Sequence, residues 1–122
     1  MAKVASNGMI DGGLTKYGTG VNLTICAGQP VSFADIAVKT LASTALVAGD
    51  FTIANGNTSG RKSTVAAKSG ILITASGTAD HVVVDDGVSE YYVTTATAQA
   101  LTANGSNTVS TPAFDREISD PV

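Results

Sequence analysis

Residues 81–97 have the sequence HVVVDDGVSEYYVTTAT, which predicts two β-strands joined by a tight turn. Branched and aromatic side chains, which fit the pleat of a strand, are frequent in residues 81–85 and 90–97. Asp86-Gly87 lies between the two segments, and a glycine there can adopt the positive φ that a tight hairpin requires. The stretch therefore predicts an antiparallel hairpin and favours an all-β fold class.

The same alternation of short strands and turns continues on both sides of this hairpin. Turn dipeptides divide the chain after residue 50, at Asn55-Gly56, Ser69-Gly70, Ser76-Gly77 and Asn104-Gly105. Further strands are predicted over residues 21–26, 35–41, 51–54, 62–67, 71–75 and 108–118. Residues 34–47 are also compatible with a helix, because Ile36, Leu41 and Ala45 could form a helical stripe. The sequence predicts an antiparallel β-sandwich or jelly roll of about eight short strands, with under about a fifth of residues helical.

Residues 1–20 differ from the rest and are predicted to form an N-terminal arm or a short helix. Four apolar side chains follow a possible helix cap at Asn7 with roughly helical spacing: Met9, Ile10, Leu14 and Tyr17. Gly12 and Gly13 weaken this helix. The predicted organisation is an arm over 1–20 and a β-sandwich domain over 21–122, and the four apolar side chains are expected to contact a neighbouring subunit.

A second predicted contact lies near the C-terminus, at Asp115-Arg116-Glu117. Alternation along a strand places Asp115 and Glu117 on one face and Arg116 on the other. This arrangement is typical of a solvated or interface edge strand. We therefore expect these three residues to contact another subunit.

Composition disfavours nucleic-acid and membrane partners. The net charge is −3, the pI is about 4.7, and the seven Lys and Arg residues are scattered along the chain. No basic patch for direct nucleic-acid binding is therefore expected. The sequence contains neither the roughly 18 consecutive apolar residues of a transmembrane helix nor a signal-peptide pattern. Synthesis in the cytoplasm, without export by the usual route, is the resulting expectation.

Three patterns with possible chemistry each have a simpler structural interpretation. Residues 56–63 nearly match a phosphate-binding loop, but they have three residues between the glycines instead of four, and a strand is predicted to follow. His81 has aspartates nearby, which we interpret as turn residues that bind backbone amides. Cys26 is interpreted as a small buried residue. One His and one Cys complete neither a triad nor a zinc site, so no enzyme activity, metal or cofactor is predicted.

Five segments of the chain together resemble a family of small virion proteins encoded by tailed phages and prophages. They occur in the order LTICAGQP (23–30), FTIANGNTSGRK (51–62), ITASGTADH (73–81), YVTTATAQAL (92–101) and PAFDREISDP (112–121). The resemblance covers most of the chain and is specific as an ordered set. It implies a component of the virion and carries over no catalytic residues.

The resemblance does not fix the place in the particle, but a low-charge, Thr/Ala-rich β domain without an active site suits flat surfaces repeated by symmetry, so a head decoration (cement) protein at the capsid surface is the leading expectation. Such proteins bind symmetry-related junctions of the major capsid protein lattice after expansion, and many modest contacts add up to a stabler head. The expected partners are the major capsid protein and further copies of this chain, with a trimer ahead of a dimer. Two alternatives are a head–tail joining or tail component, and a carbohydrate- or host-binding module of a fibre or spike. The absence of Trp and the presence of only three Tyr disfavour the last.

Overall fold

The computed structural model describes residues 7–57 and 60–118, with side chains from Asp11 onward. The helices of this part are α1 (Asn7–Tyr17) and α2 (Phe33–Lys39), and Ala48–Asp50 forms a 3₁₀ turn. The strands are β1 (Asn22–Cys26), β2 (Thr40–Ala45), β3 (Phe51–Asn55), β4 (Arg61–Val65), β5 (Lys68–Leu72), β6 (Gly77–Asp85), β7 (Glu90–Leu101), β8 (Thr108–Thr111) and β9 (Phe114–Ile118). All strand pairs are antiparallel, so the predicted all-β class is confirmed.

The chain folds as two compact units, each built from separate stretches of sequence. The first unit contains the described parts of Met1–Thr19, Val47–Ala67 and Pro112–Val122, and the second contains Gly20–Leu46 and Lys68–Thr111. This division replaces the expected boundary at residue 20. The physical reason is that α1 packs against β4, which lies far away in sequence.

In the first unit, a three-stranded sheet in the order β3-β4-β9 is covered by α1. Leu14 and Tyr17 of α1 are buried, as is Val65 of β4. The Tyr17 ring meets the Phe51 ring edge-on, with the ring centroids 5.2 Å apart. This edge-to-face geometry is favourable for aromatic pairs and ties the end of α1 to β3.

In the second unit, a four-stranded sheet in the order β2-β1-β6-β7 accompanies a two-stranded sheet of β5 and β8. Helix α2 contacts β1, and its Ile36 side chain packs with Cys26 and Val83, with Val93 beside them. A backbone bridge between Ala42 and Ile73 connects β2 to the residue after β5. The larger sheet is buried on both faces, because Leu23, Ile25, Val82 and Val84, which alternate with the residues under α2, are also buried.

The strand predicted over residues 35–41 is wrong in its first part, which forms α2. Ser32 caps the helix, because its hydroxyl accepts a hydrogen bond from the Asp35 amide at 3.3 Å. Asp35 then pairs with Lys39 one turn later. Ile36 is buried while Val38 is 81% exposed, so these two residues do not share a face as they would along a half-buried strand. Helix capping and one-sided burial therefore outweigh the apparent alternation.

The predicted strand over 108–118 is divided into β8 and β9 around Pro112. Proline has no backbone N–H to donate to a strand ladder, so β8 ends at Thr111 and β9 begins at Phe114. Strand β8 pairs with β5 and not with β7. Asn104-Gly105 is consequently a turn, with Gly105 at φ 87°, but it does not close the hairpin that the dipeptide predicted.

Candidate functional site

The predicted contact residues of the N-terminal arm are core residues wherever the structure describes their side chains. Leu14 is 1% exposed and Tyr17 is 3% exposed. Neither offers a surface to a neighbouring subunit, which corrects the expectation for these two residues. The side chains of Met9 and Ile10 lie outside the described part of the chain. The spacing of apolar residues shows that one face of the helix must be buried. It does not show whether that face packs against the same chain or against a neighbouring subunit.

Strand β9 carries the second predicted contact. Its register against β4 places Asp115 and Glu117 on one face and Arg116 on the other, as predicted. The Arg116 guanidinium lies 5.4 Å from the centroid of the Tyr17 ring, which is a cation–π contact on the helix side. Since β9 ends the strand order of its sheet, it is the edge strand that the sequence indicated. Only the face with the two carboxylates is directed away from α1.

Asp115 is the centre of a polar cluster on that outward face. One carboxylate oxygen, Oδ1, accepts a hydrogen bond from the Thr64 hydroxyl at 2.6 Å. The other oxygen, Oδ2, lies 3.4 Å from Lys62 Nζ and 3.5 Å from Asn57 Nδ2. The Thr64 hydrogen bond, supported by Asn57 and Lys62, lowers the pKa of Asp115 below its ordinary value. The cluster therefore favours the ionised form of Asp115, which is paired with Lys62 beside the strand edge.

His81 and Asp80 form a structural contact near the start of β6. Asp80 Oδ1 accepts a hydrogen bond from the Gly28 amide at 2.7 Å and lies 2.7 Å from His81 Nδ1. These contacts, with that of His81 the stronger, lower the pKa of Asp80. Within the described residues no three His, Cys, Asp or Glu side chains are grouped so as to hold a metal ion.

The Asp-Asp-Gly turn behaves as the sequence predicted. Asp86 Oδ1 accepts hydrogen bonds from the amides of Val88 at 2.9 Å and Ser89 at 2.7 Å, and Gly87 adopts φ 90°. These amides, with that of Ser89 first, lower the pKa of Asp86. The turn closes the antiparallel β6–β7 hairpin.

Two other residue patterns from the sequence also have structural roles. Cys26 is fully buried, and this burial raises the pKa of its thiol to about 11, as expected for a small core residue. Strands β3 and β4 pair in an antiparallel hairpin, and the Gly56 amide donates to the Gly60 carbonyl at 2.9 Å. A strand follows this loop, whereas a phosphate-binding loop precedes a helix.

Strand β7 is a candidate interaction surface that sequence reasoning did not single out. It is twelve residues long and lies at the end of its sheet, where β6 is its neighbour. No charged residue and no proline occurs between Tyr91 and Leu101, and the residues from Thr95 to Ala100 are all exposed. The uncharged run of Thr and Ala residues was visible in the sequence. That β7 lies at the edge of its sheet was not, because this depends on which strands pair with each other.

No protein-family model, curated protein or solved structure matches this chain. Neither of the described helices has the length and apolar character needed to cross a membrane.

Proposed function

We propose that this protein is a decoration (cement) protein of a tailed-phage head, which binds the major capsid protein lattice at the capsid surface. The observation that carries the proposal is the open edge of β7. Its support from sequence is the ordered set of segments that resembles small virion proteins. An assembly protein needs a surface to which another protein can bind, and the edge of β7 is such a surface because a further strand can pair with it.

The edge of β7 is suited to pairing with an extended segment of another protein. Edge strands present unpaired N–H and C=O groups, and proteins commonly protect them with charges, prolines or bulges. β7 has irregular register against β6 near Ala79 and Val84, but it has no charge or proline from Tyr91 to Leu101. A partner strand can therefore add to the sheet through main-chain hydrogen bonds.

A contact of this kind stabilises a shell because it is repeated by symmetry. Each contact is modest, and binding to the assembled lattice shifts the equilibrium towards the intact shell by mass action. We propose the major capsid protein as the partner, together with further copies of this chain, with a trimer ahead of a dimer. The protein then acts at the capsid surface, without touching the packaged nucleic acid.

Co-sedimentation of the purified protein with expanded and unexpanded shells tests this function. We expect the protein to sediment with expanded shells and to raise the temperature at which they release DNA. Thr97→Lys, which places a charge on the exposed part of β7, is expected to weaken this binding. Thr102→Lys makes the same change at an exposed residue just after the strand and serves as the control. A protein that leaves expanded shells unbound contradicts the proposal.

A further inference from the structure

A cleft in the second unit, beside α2, has the chemistry of a binding site. Its volume is about 260 Å³, and it lies on the face of the sheet that α2 partly covers. Polar side chains contribute one part of the lining: Asn22, Thr24, Thr40, Ser43 and Asp85. Apolar side chains of α2 contribute the other: Phe33, Ala34, Ile36 and Ala37. One wall is therefore rich in hydrogen-bonding groups, and the opposite wall is apolar.

Asp85 is the charged residue of this lining, and it is only 2% exposed. Its Oδ1 atom accepts hydrogen bonds from Asn22 Nδ2 at 3.0 Å and from the Gly87 amide at 2.9 Å. No donor from the described residues reaches Oδ2. Oδ2 can therefore still accept hydrogen bonds, and a ligand with N–H groups would supply them.

A second carboxylate lies next to Asp85. Glu90 pairs directly with Asp85 across the β6–β7 ladder, and its Oε2 atom is buried without a hydrogen-bond partner in the described part of the chain. Neither Asp85 nor Glu90 forms an ion pair with a described residue. Two carboxyl groups without a described cationic partner therefore lie side by side at this end of the sheet, and the complementary occupant is a cation.

We propose that the cleft receives an arginine side chain of the partner protein. A guanidinium has several N–H donors in a fixed plane, which suits Oδ2 of Asp85 together with the hydroxyls of Thr24 and Ser43. The aliphatic part of the side chain packs along Ile36, and the ring of Phe33, 38% exposed, offers a face for stacking. The proposed function thereby gains a specific group that the partner contributes. The cleft proposal rests on that function in one respect, namely that the partner is the shell protein.

Titration of the isolated, ¹⁵N-labelled protein with N-acetyl-arginine amide tests the cleft without any shell. We expect saturable chemical-shift changes at the amides of Thr24, Ser43 and Asp85, and no such changes with the neutral isostere N-acetyl-citrulline amide. Asp85→Asn keeps an acceptor for Asn22 and Gly87, and it is expected to weaken binding by about ten-fold, since a charge-assisted hydrogen bond contributes at least about 1.4 kcal/mol. Equal responses to both amides, or unchanged binding by Asp85→Asn, would overturn the inference.

A second pair of variants guards against a folding effect at Asp85. Ala37→Leu fills the cleft from α2, whereas Val38→Leu changes a neighbouring, 81% exposed residue that does not line it. Only Ala37→Leu is expected to abolish the response to the arginine amide. Shell binding then separates the two proposals. If the Asp85→Asn protein binds shells as tightly as the original protein, the arginine does not come from the shell protein. If the original protein fails to bind shells, the proposed function is contradicted, but the titration result still stands.

Discussion

Replacing Leu14 with alanine tests whether α1 belongs to the core of the first unit. Leu14 is 1% exposed and lies on the helix that packs against β4. The substitution removes three buried carbon atoms, which at about 0.8 kcal/mol each corresponds to about 2.4 kcal/mol. The cavity that remains raises the expected loss to about 3–4 kcal/mol.

Urea denaturation followed by circular dichroism measures this loss. With an m value of about 2 kcal/mol per M, a loss of about 3 kcal/mol lowers the unfolding midpoint by about 1.5 M. Hydrogen exchange should also show faster exchange of the β4 amides, which identifies the affected unit. Thr15→Ala, at an exposed residue of the same helix, is the control and should change stability by less than about 0.5 kcal/mol. A midpoint for Leu14→Ala equal to that of the control would show that α1 is a detachable arm.

Three further predictions concern turns, the thiol and pH. Gly87→Ala should destabilise the folded protein by about 1 kcal/mol, because Gly87 has a φ of 90°. Gly12→Ala should stabilise the folded protein by a similar amount, because Gly12 lies in α1 with open space around it. Equal shifts in melting temperature for the two variants would refute this. Cys26 should resist iodoacetamide at pH 8 in the folded protein and react once urea unfolds it; rapid native labelling contradicts its burial. Hydrogen bonds lower the pKa of Asp86 in the folded protein below its ordinary 3.8, so the contribution of Asp86 to folding stability is complete above about pH 4 and is lost as the pH falls further. The Asp86→Asn protein should therefore lose less stability than the original protein between pH 5 and pH 2. An equal loss in both proteins would contradict this.

The elements that sequence predicted well are those set by neighbouring residues. The β6–β7 hairpin depends on branched residues on both sides of Asp86-Gly87, and all of these determinants lie within one stretch. The edge character of β9 was also predictable, because alternation alone separates Arg116 from the two acidic residues. Local chemistry was sufficient in both cases.

The features that sequence missed depend on contacts between distant residues. The burial of Tyr17 requires Phe51, and the order β3-β4-β9 requires a strand from the far end of the chain. The cleft brings together Asn22, Ser43 and Asp85, which lie on three different strands. Such residues become neighbours only when the strand order and register are known, and a single sequence displays neither.

The copy number of this protein in purified virions tests the central claim most directly. Quantitative mass spectrometry against the major capsid protein gives this number without any assumption about mechanism. A decoration protein should be present in a fixed, high ratio to the capsid protein, set by the symmetry of the lattice. Absence of the protein from virions, or a copy number that fits only one ring at the neck or tail, would contradict the proposed function.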